Sequence, residues 1–412
     1  MIFHSPLSLR DVPSLTSERY YGMRKGVEKH KKRGYPIDIN SLNHVVAKRH
    51  KSVDWEGSLM RKMQEYIVKG NRIFIGLEDS KKTWKLCVRC DREVINETSM
   101  PAEYKVLKAY LKHKYPDCEI TVMYEAGFQG FWLHDLLEGD GYTCIVTPPN
   151  KVTQAKAERV KTDKRDARRL AKNLENGDYV SCRVPDRERR EDRQISRTLG
   201  QVQKDITATK NRIRRFLDFH GLNEGLKTEG WTDKDYRALA GLTLPHSLHV
   251  SLHSYLQLLE TQITLRESLH KELRALCKKE RYKASVKAKA SCPGIGWLTA
   301  IRLTLEWGDM HRFKTGKHIA SFTGLTSSEY STGDTVRRGR ITGQSSKYLR
   351  SWLIECAWRA RKKDPVLLAK YKAVRQNSGN KKKAIVAVAR KLAVRLWALE
   401  INNELYCPGI VS

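Results

Sequence analysis

Residues Ile120 to Leu170 read ITVMYEAGFQGFWLHDLLEGDGYTCIVTPPNKVTQAKAERVKTDKRDARRL, and this stretch decides the fold. An apolar, strand-like run ends in a carboxylate, Glu125, followed at once by Ala126 and Gly127. Downstream, Asp163 and Asp166 stand three apart in a segment whose helical spacing continues through Leu170. Residues three apart share one helix face, so both aspartates can point at one locus. A carboxylate at a strand end and two more on a helix are the hard oxygen donors that Mg²⁺ prefers. They form a candidate metal site.

Upstream, RIFIGLEDSKKTWKLCVRC (72–90) predicts a strand from Ile73, a tight turn over Glu78 to Lys82, and a second strand with Trp84, Leu86 and Val88 alternating. DREVINETS (91–99) predicts a third strand, and Pro101 fits the first turn of a helix through Lys114. Glu119 to Tyr124 is then a strand, Phe128 to Leu137 a helix and Tyr142 to Val146 a strand closed by Pro148 and Pro149. The helical region with Asp163 and Asp166 follows. Three strands, helix, strand, helix, strand, helix is the order of a ribonuclease H-like (RuvC-like) α/β fold. There the first strand is central beside the fourth, and α/β sites form at the carboxyl ends of parallel strands.

The first strand offers two acids at that end, Glu78 and Asp79. Side chains alternate along a strand, so Leu77 and Asp79 follow Ile73 and Ile75 while Glu78 takes the other face. In a turn that parity fails, and spacing alone does not choose.

The chain's 78 lysines and arginines against 46 acids give a formal charge of +32 over 412 residues. Such an excess calls for a polyanionic partner, because nucleic-acid affinity rests on neutralising phosphates. The nine cysteines show no framework spacing; Cys87 and Cys90 form a lone C-x-x-C without a second pair to complete a zinc site. Scattered reduced thiols, no signal peptide in MIFHSPLSLRDVPSL and no spanning apolar run point to a cytoplasmic protein without membrane attachment. His246, His249 and His253 lack a Cys or acid at ligand spacing and read as a solvated helix face.

Four domains are expected: a basic extension over 1–70, a metal-binding α/β domain over 71–185, a helical hairpin connector over 186–285 and a mostly helical domain over 286–412. The charge runs KGVEKHKKRGY (25–35) and AKRHK (47–51) make the first an arm for phosphate backbone. In the connector, Ile195, Leu199, Val202, Ile206, Thr209, Ile213 and Phe216 repeat in steps of four and three, a coiled-coil seam. A polar stretch from Gly221 to Gly241 precedes a second seam from Leu252 to Leu276. So narrow a stripe packs within the hairpin or against a second protomer, and a homo-oligomer (dimer or tetramer) is expected.

Pro293-Gly294-Ile295-Gly296 opens a helix with the helix-hairpin-helix signature. Its glycines, Gly294 and Gly296, would let backbone amides approach a phosphate. Further on, TSSEYSTGDTVRRGR (326–340) offers three serines, and Arg337, Arg338 and Arg340 suit bidentate phosphate binding. Lys381 to Leu399 is a basic amphipathic helix expected to pack on this domain and face phosphate.

GLEDSKKTW, YEAGFQGFWL, PPNKV and KTDKRDARRLA resemble the Asp-Glu-Asp-Asp transposases of the IS-one-ten (IS110) family, relatives of the Piv invertases. Glu306 to Phe313, Ser321 to Leu325 and Ser331-Thr332-Gly333 with the following arginines resemble that family's C-terminal domain, so the resemblance covers about residues 71 to 370. The family's opening motif, Gly-hydrophobic-Asp, puts Glu78 at the first carboxylate, a Glu where Asp is usual. Glu125, Asp163 and Asp166 match the other three.

The resemblance implies a site-specific recombinase of an insertion sequence in a bacterial or archaeal, nucleoid-associated setting. It implies Mg²⁺ on Glu78, Glu125, Asp163 and Asp166, and Ser331 as the nucleophile on DNA. Its partners would be the element ends, the target DNA and a structured guide RNA. The rival readings are a ribonuclease H-like junction nuclease, which needs no serine, and an inactive element-derived nucleic-acid-binding protein, which needs no acids.

Overall fold

The structure, a computed structural model, describes residues 70–149, 162–223, 230–332, 335–342 and 345–407. The expected basic arm lies outside them except for Gly70. The chain divides into two compact units, Met1–Val184 and Pro185–Ser412.

In the first unit β1 (Arg72–Asp79), β2 (Thr83–Cys90) and β3 (Glu93–Pro101) form an antiparallel meander. β4 (Glu119–Glu125) and β5 (Thr143–Thr147) join parallel to β1, giving the order β3-β2-β1-β4-β5. Helix α1 (Tyr104–Lys114) leads into β4, α2 (Trp132–Gly139) leads into β5, and α3 (Asp163–Asn176) closes the series. Strand alternation sorts the side chains. Ile73, Ile75 and Leu77 pack with Leu107 and Leu111 of α1 and Leu133 and Leu137 of α2. Phe74, Met123 and Ile145 face the other way, against Leu170 and Leu174 of α3. Both faces of the parallel strands are covered, which is why these strands read as continuous apolar runs.

One glycine sets the spacing of β1 and α3. A side-chain carbon at Gly76 would stand 2.1 Å from the Ala167 carbonyl and 2.3 Å from the Ala171 amide. Only a bare backbone admits the helix this close. Ion pairs pin its outer side: Glu97 of β3 receives Arg168 and Lys164, the latter at 3.0 Å, and Arg89 of β2 pairs with Glu175 at 2.6 Å. Thr162 caps the start of α3 and Gly177, at φ 74°, ends it.

Three local expectations are corrected. β1 continues through Asp79, paired to Trp84, so the turn begins only at Ser80. Pro101 ends β3 opposite Thr83, and the helix starts at Tyr104; β3 is the sheet edge, where a missing N–H is tolerated. Residues 128–131 form turns, and α2 begins at Trp132.

In the second unit α4 (Arg187–Phe219) and α6 (His246–Lys278) bury Val202, Ile206, Ile213 and Leu217 against Leu252, Leu256 and Leu259. Between them lies a helix the polar sequence hid, α5 (Asp233–Ala240). It is fixed by a Thr232–Asp235 capping box and buries only Leu239. The remaining elements are α7 (Glu280–Ser291), α8 (Trp297–Trp307), α9 (Gly316–Phe322), the hairpin β6 (Ser327–Glu329) and β7 (Arg338–Ile341), α10 (Lys347–Ala360), α11 (Pro365–Ser378) and α12 (Lys381–Ile401). They share a core in which α12 contributes Val388, Leu392 and Leu396. Fully buried Lys289 of α7 pairs with Glu400 of α12, and Asp364 caps α11 while receiving Arg395 and Tyr406. No helix among the described residues is long and apolar enough to cross a membrane.

Candidate functional site

At the carboxyl ends of β1 and β4 the strand register brings two acids side by side. Leu77 lies opposite Tyr124 across the parallel pair, so Glu78 and Glu125 follow as neighbours one residue later. Parity with Phe74, Gly76 and Met123 puts both on the face that α3 covers. Asp166 projects from the first turn of that helix and is buried. Arg169, one turn further on, lies 3.0 Å from Glu125 and 2.9 Å from Asp166. Glu78 accepts a 2.8 Å hydrogen bond from the Ser80 hydroxyl. Asp163, the first residue of α3, is exposed.

Asp79 takes the opposite face, as strand parity requires. It is 8% exposed, and one of its carboxylate oxygens has no hydrogen-bond partner. Burial raises its pKa to about 7, and the negative charges of Glu78 and Glu125 add to the shift. Glu78, Asp79 and Glu125 therefore meet at one end of the sheet, with Asp166 on the turn of α3 beside it; Asp79 was the open alternative to Glu78, and Arg169 carried no role in the sequence reading. The i, i+3 spacing from Asp166 was the signal for Arg169.

Among the described residues no three His, Cys, Asp or Glu side chains are gathered tightly enough to cage a metal by themselves. The donors nevertheless suit a hard divalent cation. All are carboxylates, Glu78 and Glu125 are neighbours at adjacent strand ends, and a guanidinium already bridges Glu125 and Asp166. The positive charge that this corner needs is supplied here by Arg169.

The expected serine lies in the second unit, on the β6–β7 hairpin. Ser327 pairs with Ile341 and Glu329 with Arg338, and the Tyr330 amide donates to the Arg337 carbonyl at 2.8 Å. Ser331 is exposed at the tip, and its hydroxyl donates to the Glu329 carboxylate at 3.0 Å. Ser328 donates instead to the Arg340 carbonyl at 3.2 Å and packs against Gly339, so its hydroxyl is committed to holding the hairpin. Arg337 and Arg340 are exposed; Gly333 and the Arg338 side chain lie outside the described residues. Glu329, two residues before Ser331, is a proton acceptor that the sequence reading passed over.

Pro293–Gly296 forms the turn between α7 and α8. Gly294 has φ +84°, and a side-chain carbon there would stand 2.6 Å from the Ala360 amide of α10. Its bareness serves the packing of α10. Gly296 caps α8, with nothing within 4 Å of where a side chain would begin.

The transposase model of the IS116/IS110/IS902 family matches residues 288–372, and a DEDD-type IS110 transposase model matches residues 75–221. The chain is similar to a Sinorhizobium fredii protein named as a transposase, 28% identical over 304 residues, 67% of this chain and 74% of the relative. It is similar to the transposase for insertion sequence element IS1111A of Coxiella burnetii, 24% identical over 370 residues, 86% of this chain and 98% of the relative. The pilin gene-inverting protein of Moraxella lacunata is 32% identical over 125 residues, 30% of this chain and 38% of the relative.

Proposed function

Because this chain belongs to the IS110 family of transposases, the enzymes that move insertion sequences, we propose that it breaks and rejoins DNA through Ser331, with a divalent cation held by the sheet-end acids. One observation carries the reading of the acid site: Glu78 and Glu125 end adjacent parallel strands on the face where α3 delivers Asp166. The strand order β3-β2-β1-β4-β5 supports a ribonuclease H-like unit. Glu78, Glu125, Asp163 and Asp166 would hold Mg²⁺, in keeping with the DEDD-type match. When bound, such a cation neutralises phosphate charge as a Lewis acid.

The chain's own groups do the rest. Glu329 takes the Ser331 proton as the hydroxyl oxygen bonds to phosphorus. The bond from phosphorus to the departing deoxyribose oxygen breaks, and that oxygen gains a proton to become a free strand end. The phosphoserine ester keeps the bond energy until an incoming strand hydroxyl attacks it, releases Ser331 and restores the phosphodiester. Arg337 and Arg340, exposed beside the tip, would receive the charge gathering on phosphorus. Target choice by a structured RNA and assembly as a homo-oligomer complete the proposal, supported by the +32 charge and the family.

The test is a denaturing gel on a nicked element end. Wild-type protein should give a covalent protein–DNA species, and Ser331→Ala should give none while binding DNA normally. Ser328→Ala, whose hydroxyl faces the Arg340 carbonyl, should keep the adduct. An adduct that survives Ser331→Ala would refute this nucleophile.

A further inference from the structure

The second unit carries a run of cations and aromatic rings that the serine chemistry does not use. Arg274 of α6 lies with its guanidinium 4.2 Å from the Trp297 ring, and Arg302 of α8 lies 4.9 Å from the Trp352 ring. Trp352 neighbours Tyr348 at 6.3 Å, and Lys204 of α4 stands 4.7 Å over the Tyr348 ring while bonding its hydroxyl at 2.6 Å. His270 lies 6.0 Å from Trp297 and feels the charge of Arg302, which relates the two halves.

Cations outnumber acids on this face; at its Tyr348 end Glu306 is held by Arg193 at 3.8 Å and Arg197 at 2.9 Å. Burial holds the His270 imidazole down, and the charges of Arg266, Arg302 and Arg274 press it further, so the four basic groups converge. Burial alone lowers Arg302 to about 10, with no carboxylate offsetting it. The Nε atoms of Arg266 and Arg302 are buried without a hydrogen-bond partner. Glu267, 3.7 Å from Arg266, is the acid paired at this end. A folded protein keeps guanidiniums crowded together against this cost when an anion is to join them.

We propose that this face binds an unpaired nucleic-acid strand, its phosphates on Arg266, Arg274 and Arg302 and a base stacked at Tyr348. The inference rests on the reading of the chain as a transposase and adds the strand form and the residues. The rings argue for an unpaired strand. Aromatic side chains bind bases through their π-faces, which a duplex keeps stacked away, and Tyr348 is 46% exposed. Lys204 beside it would take the adjoining phosphate.

The experiment is fluorescence anisotropy with the full-length chain and one oligonucleotide sequence as single-stranded RNA, single-stranded DNA and duplex DNA. Arg274→Glu should weaken single-strand binding about tenfold or more and flatten its salt dependence. Tyr348→Ala should weaken it roughly fivefold or more and leave the duplex unchanged. Both are surface changes; Arg302→Met, in a packed position, is a third variant expected to follow Arg274→Glu. A larger loss on RNA than on DNA, or the reverse, names the source of the strand. Unchanged single-strand affinity in Arg274→Glu and Tyr348→Ala overturns the face, and equal loss on the duplex overturns the unpaired strand; both leave the transposase reading intact. Failure of the wild-type chain to bind any probe would sink that reading as well.

Discussion

Arg169 stands 3.0 Å from Glu125, a charge pair that joins helix α3 to the end of strand β4. The same guanidinium reaches Asp166 at 2.9 Å, so one side chain balances two of the acids expected to hold a metal. A cation entering between them competes with Arg169, and the corner is neutralised either way.

Replacing Arg169 by Gln should therefore act in two directions. Without added metal Glu125 and Asp166 lose this shared cation, and stability should fall by about 2 kcal/mol, less than for a fully buried pair. Mn²⁺ should bind roughly tenfold tighter, because it no longer displaces a positive charge. Thermal unfolding with and without Mn²⁺, and titration followed by Mn²⁺ resonance, read both effects. Weaker Mn²⁺ binding in the variant would show that Arg169 helps hold the ion.

Gly76→Ala should be among the most damaging small changes in the first unit. The added carbon would meet backbone atoms of Ala167 and Ala171, which cannot swing away. A loss of at least about 2 kcal/mol is expected from forcing α3 off the sheet. Gly139→Ala, at the end of α2 with nothing within 4 Å, should be neutral or slightly stabilising. Denaturant midpoints of the two variants make the comparison, and similar midpoints would deny the close contact.

Glu97 gives the first unit an acid-sensitive clasp. Hydrogen bonds from Arg168, against an opposing effect of burial and helped by Lys164, lower it from 4.5 to about 2. The folded state therefore binds the proton more weakly than the unfolded state. Its contribution is fully present above about pH 4.5 and is lost as pH falls toward 2. Glu97 is partly open to water, so screening limits the effect to roughly 1 kcal/mol. Glu97→Gln should lose that much at pH 7 and show a shallower fall in stability between pH 5 and 2, as followed by circular dichroism.

Much of the first unit was legible because its parallel strands are short apolar runs and β2 alternates Trp84, Leu86 and Val88. Parity from Ile73 and Ile75 put Glu78 and Asp79 on opposite faces but did not choose between them, because a turn was expected there; β1 runs through Asp79, so the alternation holds. Pro101 misled because proline favours both the first turn of a helix and an edge strand, and only the sheet order decides. Helix α5 was hidden because it buries a single leucine and is held by a cap. Gly294 shows the harder limit: that its bare backbone is needed against α10 is invisible until α10 is in place. Arg169 was one of many cations in a basic stretch; its i, i+3 spacing from Asp166 was legible, but its 3.0 Å approach to Glu125 was not.

The central claim is that the acids at the ends of β1 and β4, with those on α3, drive DNA strand breakage. Asp166→Asn keeps the shape of the side chain and removes its charge. Cleavage of an element end in Mg²⁺ should be measured beside DNA affinity in the same preparation. The account predicts at least a roughly thousandfold loss of cleavage with affinity changed little. Wild-type cleavage in Asp166→Asn, with the protein folded and bound to DNA, would contradict it.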